Sequence, residues 1–150
     1  MGVITASDTR TPETDDSGRI VKALLEAAGH EIAYYEIIRD DPALIAAAIK
    51  SHVADLDAVV INGGTGITAR DSTFEAVQSV LDKELPGFGE LFRVLSYQEI
   101  GSAAFLSRAT AGVRAGKLVV SIPGSPDACR LALEKLLIPE LGHIAHMLKL

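Results

Sequence analysis

Residues 57–82 read DAVVINGGTGITARDSTFEAVQSVLD. Ala58, Val59, Val60 and Ile61 form an unbroken apolar run, the mark of a strand buried on both faces. Three glycines in four positions, Gly63, Gly64 and Gly66, end that run. A helix is predicted over 74–82, capped either by Ser72, which stands three before Glu75 as in a capping box, or by Thr73. A buried strand, a glycine turn and a helix make the repeating unit of an α/β fold.

The rest of the chain repeats that unit. A first strand is read at 2–7, followed by the polar loop TRTPETDD (9–16). Asp16 or Ser17 is placed to cap a helix over 18–28, with Gly29 as its stop. A second strand covers 31–38, and Asp41-Pro42 opens a helix to residue 53, with the aspartate as cap and proline at the first helical position. ELPGFGE (84–90) reads as a hinge before a helix over 89–99. A short turn and a strand around 108–113 come next, then a strand over 117–122 and helices over 127–137 and 139–148. The alternation predicts one domain over residues 1–150, with an open, mostly parallel sheet and helices on both faces.

Composition narrows the function. Hydrophobic residues are 48% of the 150, enough for a substantial core. Net charge is -6 with no cluster of Lys and Arg, so no nucleic acid partner is expected. The longest apolar run, ALIAAAI (43–49), is too short to span a bilayer, so no membrane partner is expected. Met1 leads almost directly into a strand, so no signal peptide is expected. Cys129 is the only cysteine, which fits a reducing cytoplasm.

In open parallel sheets ligands sit beyond the carboxyl ends of the strands. Four loops are predicted there: Ser7-Asp8, Arg39-Asp40-Asp41, Gly63 to Asp71, and Pro123-Gly124-Ser125-Pro126. Gly63, Gly64 and Gly66 allow successive N–H groups to form a nest for phosphate, and Thr65 adds a hydroxyl. The stretch is neither a Walker A loop nor a GxGxxG fingerprint, and a plain tight turn is the other reading. Asp71 beside such a nest would repel an anion unless a cation lay between them, and Mg²⁺ suits one or two carboxylates plus phosphate oxygens. A helix-capping role is the other reading of Asp71, and Asp40 poses the same alternative. Gly124-Ser125 at a helix start offers a second anion site or a simple turn. His143 and His146 lack a third ligand and read as a solvated helix face, and Cys129 reads as a packed thiol.

Taken together, Ser7-Asp8, Asp16-Ser17-Gly18, Arg39-Asp40-Asp41, GGTG with Arg70-Asp71, LPGFGELFR (85–93), SRA (107–109) and IPGSP (122–126) occur in an order that closely resembles the MoaB/MogA family of molybdenum cofactor biosynthesis. LSYQEIG (95–101) and the Cys-Arg of ACRLALE (128–134) look more like MoaB. The resemblance implies a three-layer α/β/α sandwich whose mostly parallel sheet has one antiparallel strand. It implies a molybdopterin adenylyltransferase that joins molybdopterin and ATP with Mg²⁺ and releases pyrophosphate. By the same resemblance Asp40 and Asp71 are the catalytic, metal-holding carboxylates. Ser7, Asp8, Gly63, Gly64, Thr65, Gly66, Gly124 and Ser125 are expected around the phosphates, and the assembly is expected to be a homotrimer or homohexamer. Arg39 and Phe74 stand where the family often has proline. The alternative function is a non-catalytic molybdopterin carrier, but retention of both carboxylates favours an enzyme.

Overall fold

The computed structural model describes residues 1–150. Its elements are β1 (Gly2–Ala6), α1 (Asp16–Ala27), β2 (Tyr34–Ile38), α2 (Pro42–His52), β3 (Ala58–Asn62), α3 (Thr73–Gln78), β4 (Lys83–Glu84), α4 (Pro86–Ile100), β5 (Thr110–Arg114), β6 (Lys117–Ile122), α5 (Pro126–Ala132) and α6 (Ile138–Leu148). The six strands form one sheet in the order β2-β1-β3-β6-β5-β4. β2, β1, β3 and β6 run parallel, while β5 is antiparallel to both of its neighbours. The expected mostly parallel sheet with one reversed strand is therefore observed.

Successive residues on a strand point to opposite faces, so each central strand supplies two cores. Val3, Val60 and Val120 join α1, α4, α5 and α6 through Val21, Leu25, Phe92, Cys129 and Leu141. Ile4, Ile61 and Val119 join α2 and α3 through Ile45, Ile49 and Val77. Burial of each such aliphatic side chain contributes about 1.5–3 kcal/mol before ordering costs. The result is the three-layer sandwich.

Several boundaries differ from the sequence reading. β2 begins at Tyr34, not at 31: Gly2, the first residue of β1, is level with Tyr34, and only Met1 lies before it to bond Ala33 and Glu31. α1 is capped by Asp15, whose side chain accepts from the Gly18 N–H, rather than by Asp16 or Ser17. α3 stops at Gln78, and Asp82 N–H donates to Val113 O at 2.8 Å, drawing the chain into the short edge strand β4 that periodicity did not reveal. α4 starts at Pro86, so PGFG is helix and not a hinge. Proline costs nothing at a first helical position. Gly89 there is a close-packing residue, since an added Cβ would lie 2.4 Å from Ala109 O. α5 passes through a π-helical turn, Leu133–Leu137, into α6, whose first turn contains Pro139 without the N–H that an uninterrupted helix would use. No helix is long and apolar enough to cross a membrane.

Candidate functional site at the carboxyl ends of the parallel strands

Strand register builds the site. Ala6 is level with Ile38, Thr5 with Asn62, and Asn62 with Ile122. The residues that follow, Ser7, Arg39, Gly63 and Pro123, therefore leave the sheet along one crest. All four loops singled out in the sequence are brought to it.

A buried polar network supports the crest from below. Asp15, 1% exposed, accepts from Thr5 Oγ1 at 2.6 Å, Tyr35 OH at 2.7 Å, Gly18 N at 2.9 Å and Ser17 Oγ at 3.2 Å. Asn62 accepts from Ser17 Oγ at 2.8 Å and donates to Thr5 Oγ1 and Ile4 O. Burial alone would raise the Asp15 pKa, but the four donors outweigh it and hold the carboxyl below its ordinary range. The network joins α1, β1, β2 and β3 at the residue where the glycine loop begins. Sequence inspection missed it, because its members are far apart in the chain and carry no shared spacing.

The loop is built on close approach. Gly63 has φ +105°, gives its N–H to Ile122 O at 3.0 Å, and lies where a Cβ would be 2.2 Å from Ala6 O. Gly64 has φ +59°, and a Cβ there would meet Thr73 Oγ1 at 2.3 Å and Asp40 Oδ2 at 2.5 Å. Gly66 lies against the Asp71 carboxylate, and Gly124 against Gly63 Cα. Thr65 is buried. The N–H groups of Gly64 and Thr65 donate to no main-chain carbonyl.

The two singled-out carboxylates are held differently. Asp40 Oδ1 accepts from Ser72 Oγ at 2.8 Å and Ser72 N at 3.2 Å, tying the loop after β2 to the loop after β3. Asp71 Oδ2 accepts from Thr68 Oγ1 at 2.6 Å and Thr68 N at 2.8 Å. Burial raises the Asp71 pKa, but the Thr68 hydroxyl and N–H, the Gly66 N–H and the Arg108 charge together hold it below the ordinary range. Asp71 therefore faces its surroundings ionised at neutral pH. It lines a polar hollow of about 450 Å³ with Pro42, Thr68, Ser72, Glu75 and Arg108. A second hollow of about 530 Å³ lies by Ser7, Asp8, Arg10, Tyr35 and Arg39. Asp40 falls in the chain between Arg39 of one hollow and Pro42 of the other.

Other singled-out groups are engaged locally. Ser7 Oγ accepts from the N–H groups of Thr9 and Arg10, and Asp8 Oδ1 from the Asp40 N–H at 3.2 Å. Ser125 Oγ caps α5 by accepting from Ala128 N. Ser7 and Ser125 act here as acceptors and keep their hydroxyl protons free to donate, whereas the Asp8 carboxylate can only accept. Asp41 caps α2 through the N–H groups of Ala43 and Leu44. His143 pairs with Glu140 on an exposed helix face. Cys129 is buried, and burial with the nearby charge of Asp15 pushes its thiol up to about 12.

The donor set suits Mg²⁺. Asp40 and Asp71 offer hard carboxylate oxygens, and Asp40 Oδ2 receives no hydrogen bond from the protein. Beside it the Thr73 hydroxyl is fully buried without a partner. No group of three His, Cys, Asp or Glu side chains is gathered to hold a metal ion, so an ion here would need further ligands such as phosphate oxygens and water. Thr68, Ser72, Thr73, Glu75 and Arg108 were not chosen as site residues from sequence; only the SRA motif flagged Arg108.

A family model described as a probable molybdopterin binding domain matches residues 2–143. Molybdenum cofactor biosynthesis protein B of Halalkalibacterium halodurans is 54% identical over 145 residues, covering 95% of this chain and 85% of that one. A crystal structure of a molybdenum cofactor biosynthesis protein B superposes with a TM-score of 0.95 at 54% identity, covering 99% of this chain and 94% of the other. The tungsten cofactor synthesizing protein MoaB from Pyrococcus furiosus gives a TM-score of 0.89 at 39% identity, covering 99% and 96%. With the match running from the first strand into the last helix, and the same fold shared at that identity, the chain belongs to the MoaB/MogA family of molybdenum cofactor biosynthesis proteins.

Proposed function

We propose that this protein is a Mg²⁺-ATP-dependent molybdopterin adenylyltransferase, with residues 1–150 acting as one molybdopterin-binding domain. The observation that supports the reading is the glycine loop with the Asp40 carboxylate against Gly64 and the Asp71 carboxylate against Gly66, the N–H groups of Gly64 and Thr65 being free of main-chain partners.

In this reading an oxygen of the molybdopterin phosphate attacks the α-phosphorus of ATP. A new P–O bond forms, the bond to the bridging oxygen of the β-phosphate breaks, and pyrophosphate leaves with that electron pair. The attacking oxygen is already ionised near neutral pH, so no strong base is needed. The chain's task is positioning and charge neutralisation. Gly64 and Thr65 present N–H groups to phosphate oxygens, and Ser72 holds Asp40 as Thr68 holds Asp71. When bound, Mg²⁺ would be held by Asp40 and Asp71 and would offset charge at the reacting phosphates. The overall charge of -6 does not oppose this, because the local field comes from N–H groups and the ion.

Asp71→Asn and Asp40→Asn test the assignment. Each should slow single-turnover adenylyl transfer by about a hundredfold or more. Molybdopterin binding should survive, and the double mutant should lose less than the sum of the two if both serve one ion. Wild-type rates in both single mutants would sink the catalytic roles. Molybdopterin binding with no ATP- and Mg²⁺-dependent pyrophosphate release by the unmutated protein would favour the carrier.

We also propose a homo-oligomer, trimer or hexamer. Phe92 is buried in the core and Leu95 packs against it, but Leu91, Val94 and Tyr97 on α4 are 55%, 58% and 63% exposed and Phe105 is 76% exposed. That apolar face exceeds what a lone subunit gains by exposing it. The single buried thiol fits a cytoplasmic setting.

A further inference from the structure

We propose that Arg108 is a positioning residue that fixes the glycine loop and the direction of Asp71. Only the kinetic part of its test rests on the adenylyltransferase reading. Arg108 lies just before β5, about forty residues along the chain from the loop it touches. Its main-chain N–H donates to Thr65 O at 3.2 Å. Its Nε donates to Gly66 O at 2.8 Å, and Nη2 to Asp71 O at 3.0 Å. Nη1 pairs with Glu75 on α3. The guanidinium also lies 5.2 Å from the centre of the Phe74 ring.

One rigid plane therefore grips both ends of the span from Gly66 to Asp71. Within that span, Thr68 ties the Asp71 carboxylate and accepts the Asp71 N–H at 3.0 Å. Backbone and side chain of Asp71 are fixed together as a consequence. The fork explains the residue type: a lysine ammonium is a single point and cannot reach two carbonyls and a carboxylate in one plane. The pairing with Glu75 holds the guanidinium in that orientation at the wall of the hollow. Glu75 is itself kept below its ordinary carboxyl range by the hydrogen bond from Arg108. The SRA motif thus has a physical role: it reaches across from β5 to close a loop that the parallel half of the sheet supplies.

Arg108→Ala, Arg108→Lys and Glu75→Gln in the full chain test this. The first readout is amide hydrogen exchange at Thr68, Asp71, Ser72 and Thr73, whose N–H groups all have acceptors. In Arg108→Ala these amides should exchange about tenfold to a hundredfold faster, with β1, β3 and β6 unchanged. Arg108→Lys should fall short of rescue, and millimolar guanidinium should slow exchange in Arg108→Ala. Glu75→Gln should show a smaller acceleration, because both carbonyl contacts remain. The second readout is adenylyl transfer, where kcat should fall and the Mg²⁺ requirement rise while KM for ATP stays near that of the unmutated protein. Unchanged exchange at these four amides overturns the proposal. So does lost ATP or molybdopterin affinity with exchange unchanged, which would make Arg108 a ligand contact. Should Arg108→Ala not fold, Arg108→Lys decides by the same exchange measurement. An unmutated protein that releases no pyrophosphate overturns the adenylyltransferase reading and leaves the exchange result to judge Arg108.

Discussion

Gly64→Ala isolates the close approach on which the crest depends. Two costs apply. The left-handed φ of +59° costs a residue with a Cβ about 1–2 kcal/mol. The new methyl would also stand 2.3 Å from Thr73 Oγ1 and 2.5 Å from Asp40 Oδ2, and crowding of that kind costs about 1–3 kcal/mol. The sum is about 2–5 kcal/mol, against a total stability of about 5–15 kcal/mol for a domain of this size, so the variant should still fold. Gly29→Ala is the internal control. Its φ is +89°, yet nothing lies within 4 Å of the added Cβ, so only the backbone term of about 1–2 kcal/mol applies. Urea unfolding of both variants measures the difference, which should be about 1–3 kcal/mol greater for Gly64→Ala. Equal losses would refute the packing of Gly64 against Asp40 and Thr73, and with it the reason for a glycine there.

Three further outcomes are expected. Asp15 has its pKa lowered by folding, so its contribution to stability is present above the unfolded value of 3.8 and is lost as pH falls through the folded pKa. Asp15→Asn should lower stability at pH 7 by about 2–4 kcal/mol and flatten the acid limb below pH 4, as read by urea unfolding across pH. Cys129 should resist a thiol reagent at pH 8 in the folded protein and react on unfolding, since its thiol is buried with a pKa of about 12; rapid labelling of the native state would contradict that burial. Val94→Glu with Tyr97→Glu should shift sedimentation toward monomer without loss of secondary structure, and an unchanged assembly would place the interface elsewhere.

What was legible in the sequence follows from which interactions are local. The runs at 58–62 and 117–122 announce buried strands because both faces are apolar. Asp41-Pro42 announces a helix because cap and first turn are adjacent in the chain. β4 was not legible: two residues that exist as strand only through Val113 and Gly112 carry no periodicity of their own. The β5–β6 hairpin was blurred for a related reason. Its turn is Ala115-Gly116 with φ +51° and +75°, and alanine is not the residue that usually announces positive φ there. At the crest, the four loops could be picked out, but not the bonds between them. Ser72 to Asp40 and Arg108 to Gly66 span 32 and 42 residues, and nothing in the spacing of a single chain marks such pairs.

The structure also separates the crest's acidic residues in a way that composition could not. Asp8, Asp40, Asp41 and Asp71 all leave the carboxyl ends of parallel strands, and each reads in isolation as either a cap or a ligand. Asp41 caps α2 through Oδ1 alone, and Asp8 receives the Asp40 N–H on Oδ1 alone, so each keeps an oxygen with no protein donor. Asp40 is anchored through Oδ1 alone, with Oδ2 left beside the unpartnered Thr73 hydroxyl. Asp71 is anchored by Thr68 and faces the polar hollow in its ionised form. What sets Asp40 and Asp71 apart is the glycine loop: Asp40 lies against Gly64 and Asp71 against Gly66. That contact with the loop is what supports the proposal of Asp40 and Asp71, over Asp8 and Asp41, as the residues toward which a metal-bound phosphate would be drawn.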